Sequence, residues 1–340
     1  MSVTLKVLRA GPGVTVQDLG RPGYMGFGLS RGGAADRLAL YEGAALLGQP
    51  ASNAALEMAG FGGEFEATED LCIALTGAPM QASIDGTRAA WDASHLLPRG
   101  ARLSIGGATS GSYGYLHVGG GIETVSILGS RAAHLAAGIG AAVTAGQTLP
   151  IGADKGTQTG LCLDPDPRFE GGKVRVVPGP QTRFFAPAEL DRFAAETFRR
   201  DTRGNRMGVR FVPGGEAFAT DAGLSILSEV VVPGDIQVTG DGTPFVLLSE
   251  CQTTGGYPRI GTVIAADLPR VAQAVPGAQL RFEFLTIEAG AEADTRERRR
   301  IATLRNHLRP LIRDPARMTG LLSYEFISGV TAGDDLDRAG

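Results

Sequence analysis

Lysine is nearly missing from this chain: Lys6, Lys155 and Lys173 are the only three among 32 basic residues, which leaves 29 arginines. None of the three sits in the Met-Lys-Met setting that carries covalent biotin, so no attached biotin is expected here. Cysteine is as sparse. Cys72, Cys162 and Cys251 are odd in number and widely spaced, which excludes a disulfide framework and a paired-cysteine zinc site and fits a reducing compartment. The four histidines, His95, His117, His134 and His307, fall into no metal-ligating spacing, so no metal centre is expected. No apolar run approaches the ~20 residues needed to cross a bilayer. The opening MSVTLKVLRAGPG lacks the apolar middle of a secretory signal, so the expected location is the cytoplasm. A net charge of −4 gives no basic domain for nucleic acid. The phosphate loop GxxxxGK[ST], the dinucleotide GxGxxG and the hydrolase GxSxG are absent, and Cys251 has no motif-linked histidine to make it a nucleophile.

What is present is glycine and alternation. Fifty glycines and nineteen prolines are scattered along 340 residues, long enough for two domains, and they punctuate many short segments. Leu71, Ile73 and Leu75, Leu103 and Ile105, Val174 and Val176, and Leu280, Phe282 and Phe284 each place apolar side chains on one face of a strand. Asp85-Gly86 and Asp241-Gly242 are hairpin turns between such runs. Four helices are expected: one closing at Gly48; one from Pro187 with Leu190, Phe193, Ala194 and Phe198 in register; a short one capped by Asp267; and a charged one from about Thr295 to Arg313. The resulting reading is mainly β with a few peripheral helices. The turn-rich stretch 152–172 separates an N-terminal half (1–170) from a C-terminal β unit (171–288), followed by a helical extension (289–340) whose arginine face reads as solvated surface.

Four stretches concentrate polar groups around glycines. In VQDLGRPGYMGFGLSRGGAAD, residues 16–36, Asp18, Arg21, Ser30 and Asp36 precede a helix whose exposed amides suit an anion, or else the stretch is a connecting loop with Asp18 paired to Arg21. In YLHVGGGIETVSILGSR, residues 115–131, Gly119 and Gly120 permit close backbone approach and an oxyanion-type pocket, or a plain tight turn. RGNRMGVRF, residues 203–211, offers Asn205 and Arg206, or else an asparagine in a turn and a solvated arginine. ECQTTGGYPRIG, residues 250–261, packs donors, acceptors, an aromatic ring and a guanidinium around a glycine pair, and so many polar groups need something to satisfy them.

Taken together, TVQDLGRPGY (15–24), NRMG (205–208), ILSEVVVPGDIQV (226–238), QTTGGYPRI (252–260), ADLPRVAQ (266–273) and PGAQLRF (276–282) resemble the biotin-dependent carboxyltransferase subunit family. That family holds the C subunit of 5-oxoprolinase, also called allophanate hydrolase subunit 2 or KipA-like protein, and the matching half of the urea carboxylase carboxyltransferase domain. The resemblance runs over roughly residues 3–288. It implies cyclophilin-like β-barrel units. It also implies partners: a shorter homologous protein, KipI-like, the B subunit of 5-oxoprolinase, and in that enzyme an A subunit too, opening the lactam of 5-oxoproline to glutamate at the expense of ATP. The urea carboxylase relatives imply the alternative, transfer of a carboxyl group from biotin to urea or a similar amide. A regulatory binding module without catalysis is the third reading.

Lactam, urea and the biotin ring share a planar nitrogen beside a carbonyl and react once charge builds on that oxygen, so preorganised donors are the expected device. On the family motifs the candidates are Gln252, Thr253, Thr254 and the amides of Gly255 and Gly256, with Asn205 and Arg206. Tyr257 would pack on the flat ring and Arg259 would supply charge. Asp18 or Asp36 would orient a donor or accept a proton, and Arg21, Gly119 and Gly120 complete the expected substrate contacts. The chain departs from the family in reading GSRAAH where GSRST is usual, losing two hydroxyls at Ala132 and Ala133, and in Cys251 before QTTGGYP.

Overall fold

The computed structural model describes residues 3–155, 158–220, 223 and 226–312. The N-terminal half folds as two antiparallel sheets. The first runs, in spatial order, Thr148–Pro150, Thr4–Ala10, Gly63–Ala67, Arg102–Ala108, Met80–Ile84 and Thr87–Arg88. The second runs Thr15–Gln17, Ala55–Ala59, Tyr113–Val118, Leu71–Gly77, Ala93–Leu97, Leu161–Cys162 and Arg309–Pro310. Alternating residues from both, among them Leu5, Phe65 and Leu103 from the first and Leu56, Ile73 and Leu116 from the second, form one buried core. Asp85 and Gly86 both take positive φ in the hairpin that joins Met80–Ile84 to Thr87–Arg88, as an Asp-Gly turn of this kind demands.

The C-terminal half is a closed seven-stranded barrel: Gly172–Val177, Arg259–Val263, Asp235–Val238, Pro244–Leu247, Gly208–Val212, Phe198–Asn205 and Gln279–Phe284, closed by parallel pairing of the last with the first. Phe193, Phe198, Phe211, Phe218 and Phe282 fill it, with ring centroids about 5–6 Å apart. The alternation led to a mainly β expectation and the family resemblance to barrel units, and the structure has both.

Helix α1 (Arg37–Leu47) lies on the second sheet, and Gly48 closes it in the left-handed region. Helix α2 (Pro187–Ala195) ends before Phe198, which belongs to a barrel strand: burial in the aromatic core decides its place, not the 3.6-residue spacing. Helix α3 (Leu268–Gln273) has Asp267 at its N-cap, but the Asp267 carboxylate accepts from Arg175 (2.6 and 2.9 Å) instead of capping. Helix α4 (Ile287–Ala302) starts eight residues before the expected Thr295, because the Thr286 hydroxyl accepts from Ala289 N and Gly290 lets the helix lie against Val177. A Cβ at Gly290 would come within 2.5 Å of Val177 Cγ1. The helix also ends early, at Ala302, after which Leu304 packs with Leu38 and Ala45, and Leu308 with Leu46 and Leu47. Residues 313–340, the last part of the expected extension, lie outside the described residues.

Candidate active site at the barrel rim

The polar loop is held open by a ribbon and a glycine. Thr254–Gly255 pairs with Glu229–Val230, Val231 N donates to Thr253 O and Ile226 N donates to Gly256 O. The loop therefore projects from the barrel as half of a two-stranded ribbon. A Cβ at Gly255 would come within 2.3 Å of Gln237 Nε2, so any larger residue there would have to displace that side-chain amide. That Gln237 is buried in the barrel wall; its oxygen accepts from Gln252 Nε2 at 3.3 Å, and its own amide nitrogen is buried with no partner among the described residues. A buried donor left open beside the glycine pair is the type of group that a carbonyl oxygen would complete. Gln252, Thr254 and Tyr257 are exposed, with Thr253, Gly255 and Gly256 half-buried between them.

The NRMG hairpin lies directly against this loop. Leu248 N donates to Met207 O and Glu250 N to Arg206 O, both at 2.9 Å, which places the two motifs side by side. Asn205 sits at the hairpin tip, its oxygen accepting from Met207 N at 2.8 Å, and the residue is exposed. Arg206 points the other way. Its Nε donates to Glu250 (2.6 Å), one terminal nitrogen to Glu57 and the other to Gly33 O. Burial works against its charge, but Glu57 and Glu250 together outweigh that and hold its pKa above the ordinary arginine value. Arg206 thus ties the barrel to the N-terminal sheets.

Glu57 is in turn held by the Tyr115 hydroxyl (2.6 Å) and Ala35 N (2.8 Å). Glu250 also faces His134, whose Nδ1 is 3.9 Å away and whose Nε2 meets Ser30 Oγ at 2.9 Å; burial keeps this imidazole below its usual pKa. Nothing in the spacing of Glu57, Tyr115, His134 or Gln237 marked them, and Glu250 was only the first residue of the polar stretch; the one signal for Glu57 is a charged residue inside the otherwise apolar strand Ala55–Ala59.

Several expected contacts have other employment. Arg259 is engaged by four acceptors of its own chain, Gln181, Val230 O, Asp235 and Glu229, and fastens the ribbon to the barrel. Asp36 is fully buried: it caps α1 through Ala39 N and accepts from Arg168 (2.7 Å) and Gln273 (2.8 Å), joining the halves. Asp18 accepts from Gly20 N, Ser130 and Arg131 N at 2.6–2.8 Å instead of pairing with Arg21. Arg21 is 1% exposed and donates to the carbonyls of Ile127 and Ala132. Ala132 and Ala133, where the family has hydroxyls, are buried and act through their backbone, Ala133 O accepting from Gln17. The Gly119, Gly120 and Gly121 amides donate to Cys72 O, Gln49 Oε1 and Val118 O, so this glycine run is a tight internal turn and does not open on the rim loop.

A closed barrel bearing a polar rim loop is thus packed against a second β unit. The chain belongs to the family of the carboxyltransferase domain, subdomains A and B, whose model matches residues 27–284. It is 35% identical over 294 residues to the 5-oxoprolinase C subunit of Escherichia coli, covering 85% of this chain and 94% of that protein, and 31% identical to the 5-oxoprolinase C subunit of Haemophilus influenzae, covering 82% and 90%. Urea amidolyase of Saccharomyces cerevisiae is 25% identical over 84% of this chain but only 17% of its own length. Among solved structures, TTHA0988 superposes with a TM-score of 0.77 at 32% identity, over 83% of this chain and 56% of that one. Urea carboxylase of Kluyveromyces lactis has the same fold (TM-score 0.80, 22% identity), this chain spanning 31% of it.

Proposed function

We propose that this chain is the C subunit of an ATP-dependent 5-oxoprolinase, opening the lactam of 5-oxo-L-proline to L-glutamate together with partner subunits. The observation that carries the reading is coverage: the chain aligns with 94% and 90% of two proteins that bear the name of the 5-oxoprolinase C subunit, whereas it accounts for 17% and 24% of two of the urea enzymes. The rim loop is chemically suited to the task. Opening a lactam needs charge to be stabilised on the carbonyl oxygen and the ring nitrogen to take a proton. Gln252, Thr253, Thr254, the Gly255 and Gly256 amides and Asn205 are the proposed substrate contacts, with Gln237 as a further donor behind Gly255. Tyr257, 42% exposed, offers a ring face for the flat lactam. Arg206 acts through the loop, holding it in register from behind.

ATP is assigned to a partner. The amides of Gly119, Gly120 and Gly121 are already bonded within the chain and do not fit a phosphate cradle. Exposed apolar residues beside the rim, Leu227 (88%), Val230 (58%) and Met207 (38%), favour a partner protein that covers this face and excludes water. The test is ATP-dependent release of glutamate from 5-oxoproline by the chain co-purified with its neighbouring subunits. Turnover that disappears when this chain is omitted supports the reading, and an assembled complex without turnover overturns it.

Membership of the carboxyltransferase family favours one second reading, carboxyl transfer from biotin to urea or a similar amide. Consumption of carboxybiotin with urea, in a complex inert toward 5-oxoproline, would establish it instead.

A further inference from the structure

Away from the rim, a cleft of about 340 Å³ opens between the barrel and the N-terminal unit, with α1 on one side and α3 and α4 on the other. Its walls are largely apolar, and Leu38, Leu248, Leu268 and Ile301 make the body. Two features are out of place there. Arg37 lines the cleft with its Nε buried and without an acceptor among the described residues, although its side chain shares a hydrogen bond with Tyr41. Arg31, also in the lining, lies close enough that its charge adds to burial in pulling the Arg37 pKa down, and Tyr41 works against this. Arg37 is half-buried, and no carboxylate is bonded to it among the described residues, in contrast to the buried Arg168, which is matched to Asp36 and Glu42.

We propose that this cleft binds a small organic monoanion, with its carboxylate on Arg37 and its apolar body against Leu38, Leu248 and Ile301. The charge balance favours a single negative charge. Three guanidinium groups, Arg31, Arg37 and Arg298, face two carboxylates, Asp294 and Glu297, and those two are already engaged by Ala266 N and Arg300. The volume falls in the range of about 300–1,000 Å³ common to small-molecule sites. Inorganic phosphate would leave the apolar walls uncovered and carry more charge than the single excess positive charge of the lining balances. The site also has a route to the rim: Ser249 lines the cleft, its carbonyl accepts from Gly32 N at 2.9 Å, and it directly precedes Glu250. An acid bound here presses on the strand end that carries the Gln252 loop. The proposal stands independently of the reaction assigned to that loop.

The test is calorimetric titration of the purified chain with hexanoate, with hexanamide as the neutral isostere and with inorganic phosphate. Hexanoate is expected to saturate one site and hexanamide to bind at least tenfold more weakly. Arg37→Gln should weaken hexanoate at least tenfold, and Ile301→Trp, which fills the cleft from the opposite wall and keeps Arg37, should abolish it. If Arg37→Gln does not fold, Ile301→Trp decides alone. Absence of saturable hexanoate binding, equal binding of the amide, preference for phosphate, or unchanged binding in Ile301→Trp each overturns the proposal.

Discussion

Replacing Arg206 by methionine should be the most damaging single change at the junction of the two halves. The guanidinium lies between Glu57 (1% exposed) and Glu250 (4% exposed), and both would keep their burial after losing its charge. Removing one partner of a buried ion pair costs about 3–5 kcal/mol, because it strands the opposite charge. At roughly 2–4 °C per kcal/mol for domains of about 150–250 residues, the melting temperature should fall by about 6–20 °C. Scanning calorimetry and urea titration measure this directly. Charge is separated from packing by the triple variant Arg206→Met, Glu57→Gln, Glu250→Gln, which should recover most of the loss, since an uncharged cluster no longer buries unmatched ions. A loss below about 1 kcal/mol, the value of an exposed pair, would refute the argument. So would a triple variant no more stable than Arg206→Met, because the cost would then lie in packing.

Gln252→Ala and Asn205→Ala change exposed side chains and should leave the melting temperature within about 1 °C, while turnover of the reconstituted complex falls by about a hundredfold, the usual loss for one oxyanion donor; full activity in both would remove the rim from the mechanism. Gly255→Ala should displace the Gln237 amide, the movable end of its side chain, and lower activity in the same glutamate assay; unchanged activity would remove Gln237 from the site. A buried histidine and a half-buried aspartate set opposing pH dependences. Burial pushes His117 down to about 3 from an ordinary 6.5, so its contribution is complete above pH 6.5 and is lost as pH falls toward 3, by about 1.4 kcal/mol per unit at most; urea midpoints from pH 4 to 7 should flatten in His117→Gln. Burial, then the neighbouring Glu42 charge, push Asp92 up to about 7, so its contribution is present below about pH 4 and lost as pH rises to 7; Asp92→Asn should be more stable than the parent at pH 8 and not at pH 4. Asparagine also tolerates the positive φ of this position.

Strands and hairpins were legible because their signal is local. Leu71, Ile73 and Leu75 alternate, and an Asp-Gly pair turns the chain whatever lies around it. Helix ends were less so. Phe198 has helical spacing after Pro187 yet joins the barrel, and α4 begins early because Gly290 fits against Val177, a neighbour 113 positions away in sequence. At the rim, the sequence marked the polar loop and the NRMG hairpin, and the backbone bonds from Leu248 and Glu250 to Met207 and Arg206 bring them together.

What the residues determined alone is therefore the strand-rich class, the turns and the concentration of donors around Gly255 and Gly256. A short-range pattern suffices for each, since pleat, turn and glycine freedom depend on a few consecutive residues. Which polar groups face outward was decided only in three dimensions. Arg206, Arg259, Asp36 and Asp18 look as available as Gln252 in one dimension, but folding surrounds each with acceptors or donors from distant segments, Glu57 for Arg206 and Gln181 for Arg259, and removes it from solvent. Gln237 shows the converse, an unremarkable strand residue that the closing of the barrel leaves with a buried, unmatched donor beside the glycine pair.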